Sequence, residues 1–192
     1  MEDDKLVRQK VSIIDAALEE FNEKGLKFTM DDVAKRLCVS KKTIYKLFDN
    51  KESLFLEAVN HCYALIKAAE SEILTDDSLD DLTKLRRVII VLPGRFKTID
   101  WRKISSLREA YPDIFFKITE NIDSDWEPTI ALIERLISDK IIRNISVPVL
   151  RLMIESSIKA FISDSQFMSS GVTYEAALEE MVDILIEGIE VR

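Results

Sequence analysis

The sequence predicts an all-α protein. Apolar residues recur at spacings of three and four along most of the chain, which is the pattern of amphipathic helices. Four glycines and four prolines in 192 residues leave little material for the turns of β-hairpins. A chain of this length buries a core without disulfide or metal support. We therefore expect about nine helices, divided between a three-helix unit over residues 1–50 and a helical body over residues 51–192.

The first two helices have recognisable ends. Lys24 followed by Gly25 is typical of a helix C-terminus, because a basic residue in the last turn and a glycine after it are both favoured there. A second, short helix begins after Thr29, which forms a near capping box with Asp32, and ends near Cys38. The apolar side of the first helix consists of Val7, Val11, Ile14, Leu18 and Phe21.

The fourth helix begins at Lys51 and runs for about five turns before it ends in the acidic stretch 75–81. Its apolar stripe consists of Phe55, Val59, Cys62, Ile66, Ala69 and Ile73. Later helices are predicted over residues 79–92, 98–110, 113–142, 147–168 and 173–190.

Charge is distributed unevenly along the chain. The formal net charge is −8, yet residues 24–51 carry seven lysines and one arginine against three aspartates. Residues 61–192 carry 16 basic and 23 acidic side chains. A basic segment in an otherwise acidic chain is typical of a surface that binds a polyanion.

The third helix, capped by Ser40, has two chemically different sides. One side is apolar and is expected to face inward, whereas the other combines lysines with an aromatic residue. A helix fits the DNA major groove, where its first residues approach base edges and its lysines reach phosphates. A less specific interpretation is also open, because surface helices often carry lysines and Tyr45 is then half-buried. The inward side consists of Ile44, Leu47 and Phe48, and the outward side of Lys41, Lys42, Tyr45 and Lys46, with Thr43 at its edge.

Thirteen residues in this part of the chain follow one spacing pattern: Ala17, Phe21, Gly25, Thr29, Val33, Ala34, Val39, Ser40, Thr43, Tyr45, Phe48, Lys51 and Leu54. The pattern resembles the DNA-binding signature of the TetR family of regulators, AxxLFxxxGxxxTTxxxIAxxxGVSxxTxYxxFxxKxxL, and covers about a quarter of the chain. Cys38 replaces the glycine common in the turn, so either the turn relaxes or Cys38 adopts a less comfortable backbone geometry. Lys42 replaces a common glycine or proline, and the segment between Gly25 and Val33 is one residue shorter.

The resemblance implies a function for each part of the chain. Residues 1–50 are then a helix-turn-helix domain that binds operator DNA, and residues 51–192 a domain that binds a small-molecule effector and dimerises. Lys51 is expected on a phosphate at the start of the fourth helix. Together with the outward side of the third helix, the resemblance predicts DNA contacts by Thr29, Ser40, Lys41, Lys42, Thr43, Tyr45, Lys46 and Lys51.

An effector cavity in the helical body is predicted from residue type alone. His61 is the only histidine, and it shares a side of the fourth helix with Leu65. Each aromatic candidate is also compatible with an ordinary core position. No metal site or cofactor is predicted, because the adjacent Cys62 points to another side of the helix. The candidates are His61, Leu65, Trp101, Phe115, Trp126 and Phe161.

The last two predicted helices are apolar on more than one side, which indicates a partner besides their own core. A twofold contact between two copies satisfies this requirement. In such a dimer, the third helix of each copy faces one half of a pseudo-palindromic operator.

The sequence thus predicts a ligand-responsive transcription regulator, with repression favoured over activation. A helical adaptor that binds protein is the alternative. An enzyme is not expected, because the sequence has no Gly-rich phosphate loop, nucleophile elbow or metal-ligand spacing. Two cysteines, no apolar leader and no apolar stretch of about 20 residues predict a cytoplasmic protein without a membrane segment.

Overall fold

The structure, a computed structural model, describes residues 2–96 and 99–191, and these are helical or irregular without a β-strand. The predicted all-α class is confirmed. Within the same residues no helix is both long enough and apolar enough to cross a membrane. Helices α1 to α11 span Glu2–Lys24, Met30–Arg36, Lys41–Tyr45, Lys51–Thr75, Asp81–Ile89, Leu107–Ala110, Pro112–Asp123, Glu127–Ser138, Val147–Ser163, Ser165–Ser169 and Tyr174–Ile189.

Two of the predicted helices are each divided in the structure. The prediction of one helix over residues 113–142 is wrong, because Asp125 has a left-handed backbone with φ of 54° that an α-helix does not continue through. Pro128 then lies in the first turn of α8, where its missing N–H has no helical partner to lose. The predicted helix over 147–168 breaks at Asp164, whose carboxylate accepts a hydrogen bond from the Phe167 N–H at 2.7 Å and begins α10. These breaks account for eleven described α-helices instead of about nine.

The predicted helix over residues 98–110 is also modified. Residue 98 lies outside the described residues, and Trp101–Ser106 forms a 3-10 helix. Only Leu107–Ala110 is α-helical. Asp100 caps the 3-10 segment by accepting a hydrogen bond from the Arg102 N–H.

The chain forms two compact units. The first comprises Met1–Tyr63 and Thr98–Ile118, and the second comprises Ala64–Lys97 and Thr119–Arg192. Helices α4 and α7 each contribute residues to both units. The predicted functional boundary after residue 50 stays a prediction.

The first unit has an aromatic core. Phe55 of α4 packs edge-on against Phe21 of α1 and Phe28, with ring centroids 5.5 and 5.4 Å apart. The ring of Tyr111 lies 5.6 Å from that of Phe55. Because Phe21 and Phe28 are each no more than 2% exposed, these contacts fix the start of α4 against α1.

The second unit has an aliphatic core built by α5, α8, α9 and α11. Its central side chains are fully buried. These buried side chains hold the four helices together. The fully buried residues include Leu85, Ile133, Leu136, Ile154 and Ile186.

Helices α1 and α2 are joined by one arginine and a set of carboxylates. Arg36 Nε lies 2.7 Å from Glu20 Oε1, and its other nitrogens lie 3.0 Å from Glu19 and 2.6 Å from Glu23. Glu20 is only 4% exposed and also pairs with Lys24 at 2.7 Å. Burial by itself would raise the pKa of Glu20, but hydrogen bonds from Lys24 and Arg36 outweigh it and lower that pKa.

Replacing Glu20 by Gln is expected to lower the free energy of unfolding by about 2 kcal/mol near neutral pH, because two cations lose a buried carboxylate. The native pKa of Glu20 is lowered, so its stabilisation is present above the pKa of an unfolded glutamate and is lost as pH falls through the native value. Urea unfolding of both proteins at about pH 7 and about pH 3 measures this loss.

Glu23→Gln is the matched control, because Glu23 binds the same Arg36 with a side chain that is 57% exposed. We expect it to change stability by less than about 0.5 kcal/mol. Equal effects of the two substitutions would contradict the importance of the buried carboxylate.

Candidate DNA-binding site

Helix α2 is fixed at its N-terminus by the capping box that the sequence predicts. The Asp32 N–H donates to Thr29 Oγ1 at 3.2 Å, and the Thr29 N–H donates to the Asp32 carboxylate at 2.7 Å. Hydrogen bonds from Lys24 and Thr29 hold the pKa of Asp32 well below its usual value. Thr29 is therefore exposed at a helix start whose geometry is rigid.

The turn between α2 and α3 keeps its geometry despite the cysteine. Cys38 has a left-handed backbone with φ of 54°, which costs a residue with a Cβ atom about 1 kcal/mol relative to glycine. The Cys38 N–H donates to the Lys35 carbonyl at 3.1 Å, and the Val39 N–H donates to the Ala34 carbonyl at 3.0 Å. Of the two alternatives, Cys38 therefore adopts the less favourable left-handed backbone conformation, and the turn keeps its hydrogen bonds.

Helix α3 is short, and its first turn is held by side chains. Ser40 Oγ accepts a hydrogen bond from the Thr43 N–H at 3.1 Å, and the two hydroxyl oxygens lie 2.9 Å apart. Ile44 is fully buried and Phe48 is 2% exposed, while Leu47 is half-buried. The predicted cap and the predicted inward side are confirmed.

The opposite side of α3 is open to solvent. Tyr45 is 49% exposed, so about half of its surface is open to solvent, and its contact with DNA stays a prediction. Three ammonium groups accompany this ring on a helix whose other side is anchored in the core. The exposed side chains are those of Lys41, Lys42, Tyr45 and Lys46.

An acidic residue near this surface was not foreseen from the sequence. Asp31 of α2 lies 3.1 Å from Lys41 of α3 and 3.1 Å from Lys35. Hydrogen bonds from Lys35 and Lys41 lower the pKa of Asp31. Spacing along α2 indicates the pair with Lys35, but the pair with Lys41 crosses the turn and has no signal in spacing. A phosphate that binds Lys41 must compete with this carboxylate.

Lys51 is half-buried and bound within the protein. Its ammonium donates to the carbonyl oxygens of Leu26 and Phe28 at 2.7 Å each and lies 4.1 Å from the centre of the Phe28 ring. Burial lowers the pKa of Lys51, against a smaller opposing effect of Asp32. Lys51 therefore joins the start of α4 to the segment before α2. An ammonium has three donors, and a phosphate contact by the third stays a prediction.

The candidate effector residues are all half-buried and lie in both units. Trp126 donates its indole N–H to the Ile122 carbonyl at 2.8 Å, and the rings of Phe161 and Phe167 are 4.8 Å apart. His61 Nε2 is buried without a hydrogen-bond partner among the described residues. A common cavity stays a prediction. His61, Trp101 and Phe115 belong to the first unit, and Leu65, Trp126 and Phe161 to the second.

The two cysteines differ in their surroundings, and we expect their reactivity to differ. Cys38 is exposed, whereas burial raises the pKa of Cys62 to about 12. A thiol-reactive dye at mildly alkaline pH should label Cys38 at least about 100-fold faster than Cys62 in the folded protein. Cys38→Ser should abolish the fast phase, and a fast phase that survives this substitution would contradict the described burial of Cys62.

A capped pair of short helices with a rigid, solvent-facing basic side on the second helix defines a helix-turn-helix DNA-binding regulator. Residues 13–58 match the model of the family described as bacterial regulatory proteins, tetR family. Over these residues, about a quarter of its length, the chain is similar to the DNA-binding domain of TetR-family transcription regulators.

Individual relatives agree with this assignment. The uncharacterized HTH-type transcriptional regulator YvaF of Bacillus subtilis is 29% identical over 167 residues, which are 87% of this chain and 88% of that protein. The biofilm operon icaADBC HTH-type negative transcriptional regulator IcaR of Staphylococcus epidermidis is 38% identical over 55 residues, 28% of this chain and 30% of IcaR. The fold of FadR from Bacillus subtilis, solved in complex with stearoyl-CoA, matches with a TM-score of 0.68 at 21% identity over 94% of this chain and 99% of FadR.

Proposed function

We propose that this regulator is a homodimeric repressor that binds a pseudo-palindromic operator and is released by a small-molecule effector. The outward side of α3 carries the proposal, because a recognition helix needs an exposed, rigid, basic surface to enter the major groove. Lys42, Tyr45 and Lys46 are all exposed there. The proposed contacts to base edges and phosphates are made by Thr29, Ser40, Lys41, Lys42, Thr43, Tyr45, Lys46 and Lys51.

The proposed dimer forms through α9 and α11. Val149, Leu152 and Met153 are 55%, 62% and 49% exposed, and their spacing places them along one side of α9. Ile184 of α11 is 66% exposed. Exposed apolar strips of this kind favour a protein interface. A twofold contact buries the same strip on both copies and presents two α3 helices to two half-sites of DNA.

Helix α4 is the proposed link between effector and DNA. Within the second unit, Lys67 of α4 donates to the Asp125 carbonyl at 3.3 Å. From α9, Arg151 donates to the Asp123 carbonyl and Lys159 to the Asp123 carboxylate, each at 2.6 Å. The turn between α7 and α8 is thus bonded to α4 and to a proposed dimer helix. An effector with different affinities for two positions of this turn shifts the equilibrium between them.

Two similar proteins support repression over activation and indicate a class of effector to test. IcaR is a negative regulator, and occupancy of a promoter is sufficient for repression. FadR was solved with stearoyl-CoA, so a long-chain acyl-CoA is the first effector to test. Apolar and aromatic side chains at the candidate effector positions are compatible with an acyl chain.

A reporter gene downstream of a selected operator tests repression. Expression of the regulator should lower reporter output, and an increase would establish activation instead. Stearoyl-CoA added to the purified protein–operator complex should raise the fraction of free DNA, with free CoA as the control. If neither stearoyl-CoA nor any other class of small metabolite releases the DNA, the proposed release by an effector is contradicted.

A further inference from the structure

A groove of about 300 Å³ lies in the first unit between α1, the turn after α2, and α3. Its apolar part is formed by Ile13, Leu37 and Val39. Val39 is 36% exposed and directly precedes the cap of α3. The groove therefore opens beside the recognition helix, and Thr43 is the only proposed DNA contact of α3 among its lining residues.

The polar part of the groove is supplied mainly by α1. Arg8 and Gln9 line it together with Ser12, and Thr43 lines it from α3. The Ser12 hydroxyl donates to the Arg8 carbonyl at 3.0 Å, so it serves its own helix. The Arg8 side chain is 79% exposed and lies 2.5 Å from Asp4. Arg8 and Gln9 are thus the donors that α1 presents to an occupant.

We propose that this groove binds the sugar–phosphate backbone of operator DNA beyond the stretch read by α3, with Arg8 and Gln9 donating to phosphates. The inference rests on the proposed function, because it requires α3 to lie on DNA. Thr43 belongs both to the groove and to the proposed contact surface, so the two surfaces are continuous. An apolar floor with a cationic rim also matches this occupant, since deoxyribose is largely apolar and phosphate is an anion.

Asp4 limits the affinity of this contact. Its carboxylate holds the Arg8 guanidinium at 2.5 Å, and a phosphate must displace it. Both side chains are exposed, so the pair itself contributes little to stability. Removing the charge of Asp4 therefore frees Arg8 for DNA without a large effect on the fold.

Salt titrations of operator binding test the proposal. Arg8→Gln should weaken binding about 5- to 10-fold and reduce the slope of log K against log salt by about one. Arg8→Lys should retain the slope, and Asp4→Asn should tighten binding about 2- to 5-fold. Arg143→Gln is the matched control, because Arg143 is an exposed arginine of the second unit.

Each outcome has a distinct meaning. Equal affinities and slopes for Arg8→Gln and Arg143→Gln, with tight binding by the wild-type protein, would overturn the groove contact alone. A change in the sedimentation coefficient of free Arg8→Gln would show that the groove receives a second copy, which also overturns it. A wild-type protein that binds no duplex would overturn the proposed function first, and the groove contact with it.

Discussion

Substituting Tyr45 by Ala is expected to weaken operator binding by about 10- to 100-fold while leaving folding and dimerisation intact. The side chain is 49% exposed and lies among exposed lysines, outside the buried core, so its removal has little effect on folding. In the proposed complex the ring packs on a sugar or a thymine methyl group, and the hydroxyl donates to a phosphate. Fluorescence anisotropy with a labelled operator measures the loss.

Two further variants separate the kinds of contact. Tyr45→Phe keeps the ring and loses the hydroxyl, so a small effect would assign the energy to packing. Lys46→Ala should reduce the salt slope by about one if its ammonium binds a phosphate, or cost about 1–3 kcal/mol if it binds a base. Loss of the dimer in Tyr45→Ala would contradict the assignment of this side of α3 to DNA.

Substituting Leu152 by Asp is expected to convert the proposed dimer to monomers and to weaken operator binding by at least about 100-fold. Leu152 is 62% exposed on α9, so a carboxylate is tolerated in a monomer. In the proposed twofold interface the charge is buried without a partner, which is strongly unfavourable. Each freed subunit then holds one half-site, and the advantage of two linked contacts is lost.

Sedimentation and anisotropy measured on the same samples check this result. Leu56→Asp is the matched control, because Leu56 is a 42% exposed leucine of α4 outside the proposed interface. It should remain dimeric. A Leu152→Asp protein that stays dimeric would place the interface elsewhere.

Much of the DNA-binding unit follows from short-range sequence signals. The caps at Thr29 and Ser40 are formed as predicted, because each depends on a hydrogen bond to a residue three positions later. The burial of Ile44 and Phe48 follows from helical spacing in the same way. Local patterns of this kind need no knowledge of the rest of the fold.

Features that depend on distant residues were missed. The pairs of Arg36 with Glu19, Glu20 and Glu23, and of Asp31 with Lys41, join different helices, and no spacing rule contains them. The groove beside α3 was missed for the same reason, because its donors lie on a different helix, α1.

The break in the predicted helix over 113–142 was missed for another reason, which does not involve distant residues. Its helical spacing continues through the break, and the left-handed residue Asp125 interrupts the backbone without interrupting the pattern. Pro128 was the available local signal of a new helix start. The effector cavity remains a prediction, because aromatic residues in a helical core look the same in sequence whether or not they line a cavity.

Selection of bound sequences from a randomised duplex pool, followed by salt titration of the winner, tests the central claim most directly. We expect an enriched inverted repeat that one dimer binds and that salt weakens steeply, because two copies of α3 read two half-sites through basic side chains. Recovery of no motif by well-folded, effector-free protein would contradict the account. The basic side of α3 would then be an ordinary solvated surface.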